Sequence, residues 1–195
     1  FGCDPPPAFV ARMAARTPAP AWINLEYLSA EAYVERSHGL TSPQFSGPGA
    51  GLNKRFFYPG FSAATGGLIR ERDLLQRQTR FDAGAWLHER GLARRGDEQL
   101  VSLFCYDNAA LPDLLNRCAG RPTLLLATAG HAAAQVSRLL GPGLQRGALR
   151  AVLLPWLSQT DYDDLLWSCD LNFVRGEDSF VRAMWAGRPF VWQAY

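Results

Sequence analysis

Lysine is nearly missing from this 195-residue sequence: of 20 basic residues only Lys54 is not arginine. The arginines are dispersed, and against 18 acidic residues they leave a net charge of +2. That balance gives no electrostatic footprint for nucleic acid, so no nucleic-acid partner is expected. Histidine is scarce too. His38, His88 and His131 lie too far apart in sequence to suggest a metal site. The four cysteines, Cys3, Cys105, Cys118 and Cys169, lack C-x-x-C spacing, which argues against a zinc knuckle or a redox pair. Cys105 and Cys169 sit in apolar runs, where free cysteine behaves as a small hydrophobe. A reduced, cytoplasmic protein is expected. No apolar stretch approaches the roughly 18 residues of a membrane span, and no membrane partner is expected. The opening Phe1-Gly2-Cys3-Asp4 does not read as a signal peptide. Walker, G-x-G-x-x-G and G-x-S-x-G patterns are also missing. Their absence argues against a P-loop enzyme, a dinucleotide dehydrogenase and a serine hydrolase.

What remains is an ordinary globular composition, 48% hydrophobic, 12% aromatic and 19% charged. It excludes intrinsic disorder. At this length roughly 70% of the unfolded chain's surface can be buried, enough for a core without staples. The second half has a regular rhythm. Apolar runs at 99–105, 123–128, 148–155 and 171–174 alternate with helical spacing at 109–118, 131–140, 161–169 and 178–186. Gly187 and Pro189 close the last helix, the usual order of stop signals. Short buried strands alternating with helices predict an α/β fold with a doubly wound parallel sheet. The first half is less regular. It predicts a helix near 7–16, a strand from Trp22, and a helix over 29–37 with Ser29 as N-cap. A Gly/Pro/Ser-rich surface loop over 39–52, a strand over 55–61 and a helix over 82–93 follow. The stretch 94–97 reads as a linker, so the domain boundary is placed near 95, with one lobe over 1–95 and a second over 96–195. The chain lacks an initiator Met and stops directly after the strand-like Pro189-Phe190-Val191-Trp192. Further segments are expected at both ends.

The densest constellation is Asp170-Leu171-Asn172-Phe173-Val174-Arg175-Gly176-Glu177-Asp178-Ser179-Phe180-Val181-Arg182. Here a strand ends, turns through Arg175-Gly176 and enters a helix capped by Asp178 or Ser179. In open α/β sheets ligands sit beyond the carboxyl ends of strands, facing helix N-termini, where free N–H groups favour phosphate. Arg175 can neutralise phosphate charge bidentately, and Gly176 lets the backbone approach closely. Glu177 and Asp178 oppose that charge and suit hydroxyls, a cation or acid–base work. Helix capping alone would equally account for Glu177, Asp178 and Ser179. Phe104 and Tyr106 flank Cys105 at the end of a strand. Alternation puts both rings on one face, where they sandwich a nucleobase or simply pack in the core. Pro155-Trp156-Leu157-Ser158-Gln159-Thr160-Asp161-Tyr162 is a third strand-to-helix loop. All three loops open on one edge of the predicted sheet, which favours a nucleotide pocket.

Three segments also carry a resemblance: Trp22-Ile23-Asn24-Leu25-Glu26-Tyr27-Leu28-Ser29-Ala30-Glu31, Phe56-Phe57-Tyr58-Pro59-Gly60-Phe61, and the constellation over 170–182. Together they resemble the bacterial protein-arginine rhamnosyltransferases that modify elongation factor P, the EarP family, and the similarity runs through nearly the whole chain. The resemblance implies a GT-B glycosyltransferase of two Rossmann-like lobes. It implies inverting transfer of L-rhamnose from dTDP-β-L-rhamnose to an arginine of elongation factor P, with no cofactor and no metal. Phe104 and Tyr106 match aromatic donor contacts, and Gln159 a polar position near the thymine. Tyr162 and Trp156 match aromatic positions. Arg175, Asp178 and Ser179 match contacts on the diphosphate side, and Glu177 an acid needed for activity. The general base is implied in a glycine-rich segment before Phe1. A GT-B transferase for another nucleotide sugar and a non-catalytic nucleotide-sugar binding module are the alternatives that the pocket logic leaves open.

Overall fold

A computed structural model describes residues 5–194. Chain contacts divide it into two units, one running to Glu71 and the other beginning at Arg72. The first unit contains α1 (Pro7–Ala14), β1 (Trp22–Leu25), α2 (Tyr33–Ser37), β2 (Thr41–Pro43), a 3-10 turn at Gly47–Gly49, and β3 (Asn53–Phe57). Its three strands lie in the order β1-β3-β2, with β1 parallel and β2 antiparallel to β3. The predicted helix over 29–37 starts only at Tyr33. Ser29 accepts a hydrogen bond from Glu31 N–H across a local turn instead of capping the helix. The strand expected over 55–61 ends at Phe57, and the surface loop over 39–52 contains β2 and the 3-10 turn.

The second unit contains α3 (Leu74–Arg80), α4 (Ala83–Glu89), β4 (Gln99–Leu103), α5 (Leu111–Ala119), β5 (Thr123–Ala127) and α6 (His131–Leu140). It continues through β6 (Gln145–Arg146), β7 (Leu149–Leu153), α7 (Gln159–Ser168), β8 (Leu171–Arg175), α8 (Gly176–Ala186) and β9 (Phe190–Gln193). The sheet order is β6-β7-β5-β4-β8-β9, parallel except for β6. The sequence boundary near 95 differs from this division, because α3 and α4 pack on the second unit: Leu74, Trp86 and Leu87 are buried in its core.

Alternation along the central strands explains the layering. On β5, Leu125 and Ala127 pack with Leu111 and Leu115 of α5 and Val136 of α6, while Leu124 and Leu126 pack with Trp86, Leu87 and Leu165 on the opposite face. All five residues of β5 are buried, so the strand is apolar on both sides. Each fully buried leucine contributes about 1.5–3 kcal/mol of apolar burial. Two polar side chains inside this core are paired: Ser102 Oγ donates to Asn172 Oδ1 at 2.5 Å, and Asn172 Nδ2 donates to the Leu166 carbonyl at 3.1 Å. They tie β4 to β8 and to the end of α7. Cys105, Cys118 and Cys169 are buried free thiols, whereas Cys3 lies outside the described residues. No described helix is long and apolar enough to cross a membrane.

Candidate functional site

Numbered along the parallel strands alone, the sheet reads 3-2-1-4-5, because the chain runs β4, β5, β7 to one side and then returns to place β8 and β9 on the other. Between β4 and β8 the crossover connections diverge to opposite faces, and the strand ends there leave a crevice, the place where open α/β sheets bind ligands. A cavity of about 420 Å³ opens at this point, within the roughly 300–1,000 Å³ of small-molecule sites.

Four strand ends supply its walls. β4 leads to Phe104 and Tyr106, β5 to Thr128 and Ala129, β7 to the loop at 155–159 and Tyr162, and β8 to Arg175, Gly176, Glu177, Asp178 and Ser179. Thus Phe104, Tyr106, Trp156, Gln159, Tyr162, Arg175, Glu177, Asp178 and Ser179, all singled out from sequence, line one cavity. Trp156 stands at the rim, 83% exposed, with its ring edge over Gly130. Thr128, Ala129 and Arg182 also line the cavity, and none was assigned a role from sequence. The first two follow the apolar run of β5, so the rule that ligands face strand carboxyl ends was the signal available for them.

The start of α8 departs from the predicted capping. Arg175 occupies the N-cap position with extended backbone, so Asp178 and Ser179 lie inside the helix. Ser179 reaches back: its Oγ accepts from Arg175 N–H at 3.1 Å and donates to the Arg175 carbonyl. Its proton is therefore committed to the backbone, leaving only acceptor capacity for a ligand. No side chain caps α8 or α6, and of the two it is α8 whose first turn, Gly176, Glu177 and Asp178, lines the cavity with the positive end of its dipole. α7 differs, because Ser158 Oγ accepts from Asp161 N–H at 3.1 Å and donates to Asp161 Oδ2 at 2.7 Å. That bond, with Arg90 Nη2 at 2.6 Å, holds the Asp161 carboxyl below its usual range. The turn at position 176 favours glycine. Its φ is +64°, and a Cβ there would stand 3.1 Å from the Tyr106 hydroxyl.

Phe104 and Tyr106 do share the cavity face, but a protein cation covers them. The Arg175 guanidinium carbon lies 4.3 Å from the Phe104 ring centroid and 4.1 Å from that of Tyr106. One face of each ring is thus occupied by the Arg175 guanidinium. Its Nε is buried without a hydrogen-bond partner. The Tyr162 hydroxyl is buried beside the Ser179 hydroxyl, and burial pushes the phenol's pKa up. Phe104 meets the Tyr162 ring edge-on at 5.6 Å. Chemically, the cavity offers aromatic surface at the rim, Arg175 and the start of α8 on one wall, and two carboxylates beside them.

A family model described as Elongation-Factor P (EF-P) rhamnosyltransferase EarP matches residues 1–195. A protein-arginine rhamnosyltransferase of Pseudomonas aeruginosa is 46% identical over 209 residues, spanning all of this chain and 54% of that protein. The Pseudomonas putida protein of the same name is 47% identical, with the same coverage, and that of Neisseria meningitidis is 39% identical over 207 residues, covering 52% of its length. A solved structure described as the structural basis for EarP-mediated arginine glycosylation of translation elongation factor EF-P superposes with a TM-score of 0.63 at 43% identity. It covers 69% of this chain and 48% of that one. The chain spans about half the length of the curated relatives it matches.

Proposed function

The chain belongs to the EarP family of elongation-factor P rhamnosyltransferases, and from that premise we propose that its second unit is the donor-binding lobe of an inverting GT-B glycosyltransferase. The donor is dTDP-β-L-rhamnose and the acceptor an arginine side chain of elongation factor P. The observation that carries this reading is the cavity at the sheet's switch point, where Arg175 and the uncapped start of α8 meet aromatic side chains. In the reaction a guanidino nitrogen attacks the anomeric carbon of rhamnose, the bond from that carbon to the diphosphate oxygen breaks, and dTDP departs with the electron pair. Charge developing on dTDP falls on Arg175 and the N–H groups of α8, which stabilise it electrostatically. Arginine is protonated in water, so its nitrogen becomes nucleophilic only as a carboxylate pairs with it and a base removes a proton. Glu177 is the cavity carboxylate placed for pairing, and Asp178 supports the diphosphate side through its backbone N–H. Trp156, Gln159 and Tyr162 form the nucleoside end.

Mass spectrometry of elongation factor P, after incubation with the intact protein and dTDP-rhamnose, should show one deoxyhexose on an arginine. Calorimetry should show dTDP bound more tightly than UDP or GDP. Equal affinities for the three nucleotides would reduce the cavity to a generic nucleotide pocket and remove the rhamnosyl-donor reading.

A further inference from the structure

Beside the cavity a charge pair is buried that takes no part in the transfer just described. Arg182, on α8, is 8% exposed, and Asp163, on α7, is 2% exposed. Arg182 Nε donates to Asp163 Oδ1 at 2.7 Å and Nη2 donates to Oδ2, so the fork is bidentate. Arg77 of α3 brings Nη1 to 3.8 Å from the same Oδ2 and donates from Nη2 to Asp164 Oδ1 at 3.2 Å. Burying two charges costs desolvation, and well-packed apolar residues in place of such a pair often leave stability unchanged or higher. Stability alone is therefore a weak reason for the pair. A bidentate fork does what an apolar contact cannot: two parallel bonds fix the distance and the rotation between the elements that carry them.

Those elements are α7 and α8, and both begin at the cavity. Gln159 and Gly176, which open the two helices, line it, and so does Arg182 itself. We propose that Asp163 and Arg182 are positioning residues of the donor site, holding the starts of α7 and α8 at the spacing and angle that grip a nucleoside diphosphate. The pair acts on the ligand through the two helix starts. This inference rests on the nucleoside-diphosphate reading of the cavity.

The test uses the intact protein with dTDP as probe. The double variant Asp163→Leu/Arg182→Met should keep its Tm within about 4 °C of the parent, while its dTDP affinity falls by roughly 10- to 100-fold, the scale of a misplaced binding group. In turnover, donor KM should rise by a similar factor with acceptor KM unchanged. Arg182→Lys, which keeps the charge but breaks the fork, should also bind dTDP several-fold more weakly. A double variant with parental Tm and parental dTDP affinity would overturn the positioning role. If the double variant fails to fold, parental dTDP affinity in Arg182→Lys overturns it in the same way. A parent that does not bind dTDP at all would instead overturn the donor reading.

Discussion

Consider Arg175→Ala. In the ligand-free protein the guanidinium lies over two rings, at 4.3 and 4.1 Å. Each such contact is worth about 0.5–1 kcal/mol at a partly exposed site, so truncation removes about 1–2 kcal/mol. It also removes a buried Nε that has no partner, which returns on the order of 1 kcal/mol. Net stability should fall by about 1 kcal/mol or less, a Tm shift of about 2–4 °C at this size. The effect on ligand binding is separate. A charge-assisted hydrogen bond to the diphosphate is worth about 1.5–3 kcal/mol, and reaching it costs Arg175 part of its stacking on the rings. Subtracting that loss leaves dTDP affinity about 5- to 30-fold weaker.

Thymidine carries no diphosphate, and alanine uncovers the faces of Phe104 and Tyr106. Thymidine affinity should stay level or improve slightly in the variant. Isothermal titration with thymidine, dTMP and dTDP, on parent and variant, reads both quantities. Equal losses for thymidine and dTDP would refute the reasoning and give Arg175 a purely structural role in the turn before α8.

Three further outcomes are expected. Glu177→Gln should leave folding and dTDP affinity near the parent while transfer to elongation factor P drops by roughly 100-fold, the scale of a lost electrostatic or acid–base group; near-normal rhamnosylation would return Glu177 to a helix-start role. Trp156→Ala, at an 83% exposed rim position, should cost less than about 0.5 kcal/mol of stability. It should weaken both thymidine and dTDP by about 1–3 kcal/mol if the ring stacks on the base, and unchanged binding in calorimetry would remove it from the donor site. Burial raises the pKa of Tyr162 and Cys169, so the folded state keeps both protonated where the unfolded chain releases protons, near about pH 8.5 for thiol and 10 for phenol. The unfolded state then binds fewer protons, and stability should fall as pH rises above about 9. Urea midpoints from pH 7 to 10.5 check this, and Tyr162→Phe should flatten the upper part of the curve.

Legibility in the sequence followed burial. β5 reads Thr-Leu-Leu-Leu-Ala and is buried at every position, so an apolar run bounded by turns identified it, and its neighbours followed by the same logic. β2 is Thr41-Ser42-Pro43, with only Ser42 part-buried. It is a strand because it pairs with β3, Thr41 opposite Arg55 and Pro43 opposite Asn53, which is a tertiary cause that composition does not carry. α3 buries only Leu74, too thin a stripe to stand out among polar residues. At the site, the cavity wall was legible because parallel strands send their following loops to one edge. The covering of Phe104 and Tyr106 by Arg175 was not, since it depends on β8 lying beside β4. Nor was the Asp163–Arg182 fork, where burial of both charges is visible only once α7 packs on α8.

The charges of the site pull in opposite directions, and that tension bears on what kind of acceptor it serves. Arg175 and the positive end of the α8 dipole favour an anion, while Glu177 and Asp178 stand in the first turn of α8 on the same cavity. Carboxylates at a helix N-terminus are stabilised by the helix dipole, so their presence there is unremarkable for folding, yet next to a diphosphate they repel. A transferase that delivers sugar to a neutral hydroxyl has use for one carboxylate as base and none as counter-charge. A guanidinium acceptor arrives positive, and its approach to an electrophilic sugar beside Arg175 is opposed unless negative charge waits there. On this reasoning the carboxylates weaken donor binding and strengthen acceptor binding. Neutralising Glu177 should therefore leave dTDP affinity unchanged or slightly higher while the acceptor KM rises, and the opposite signs for the two substrates separate charge pairing from simple damage to the pocket.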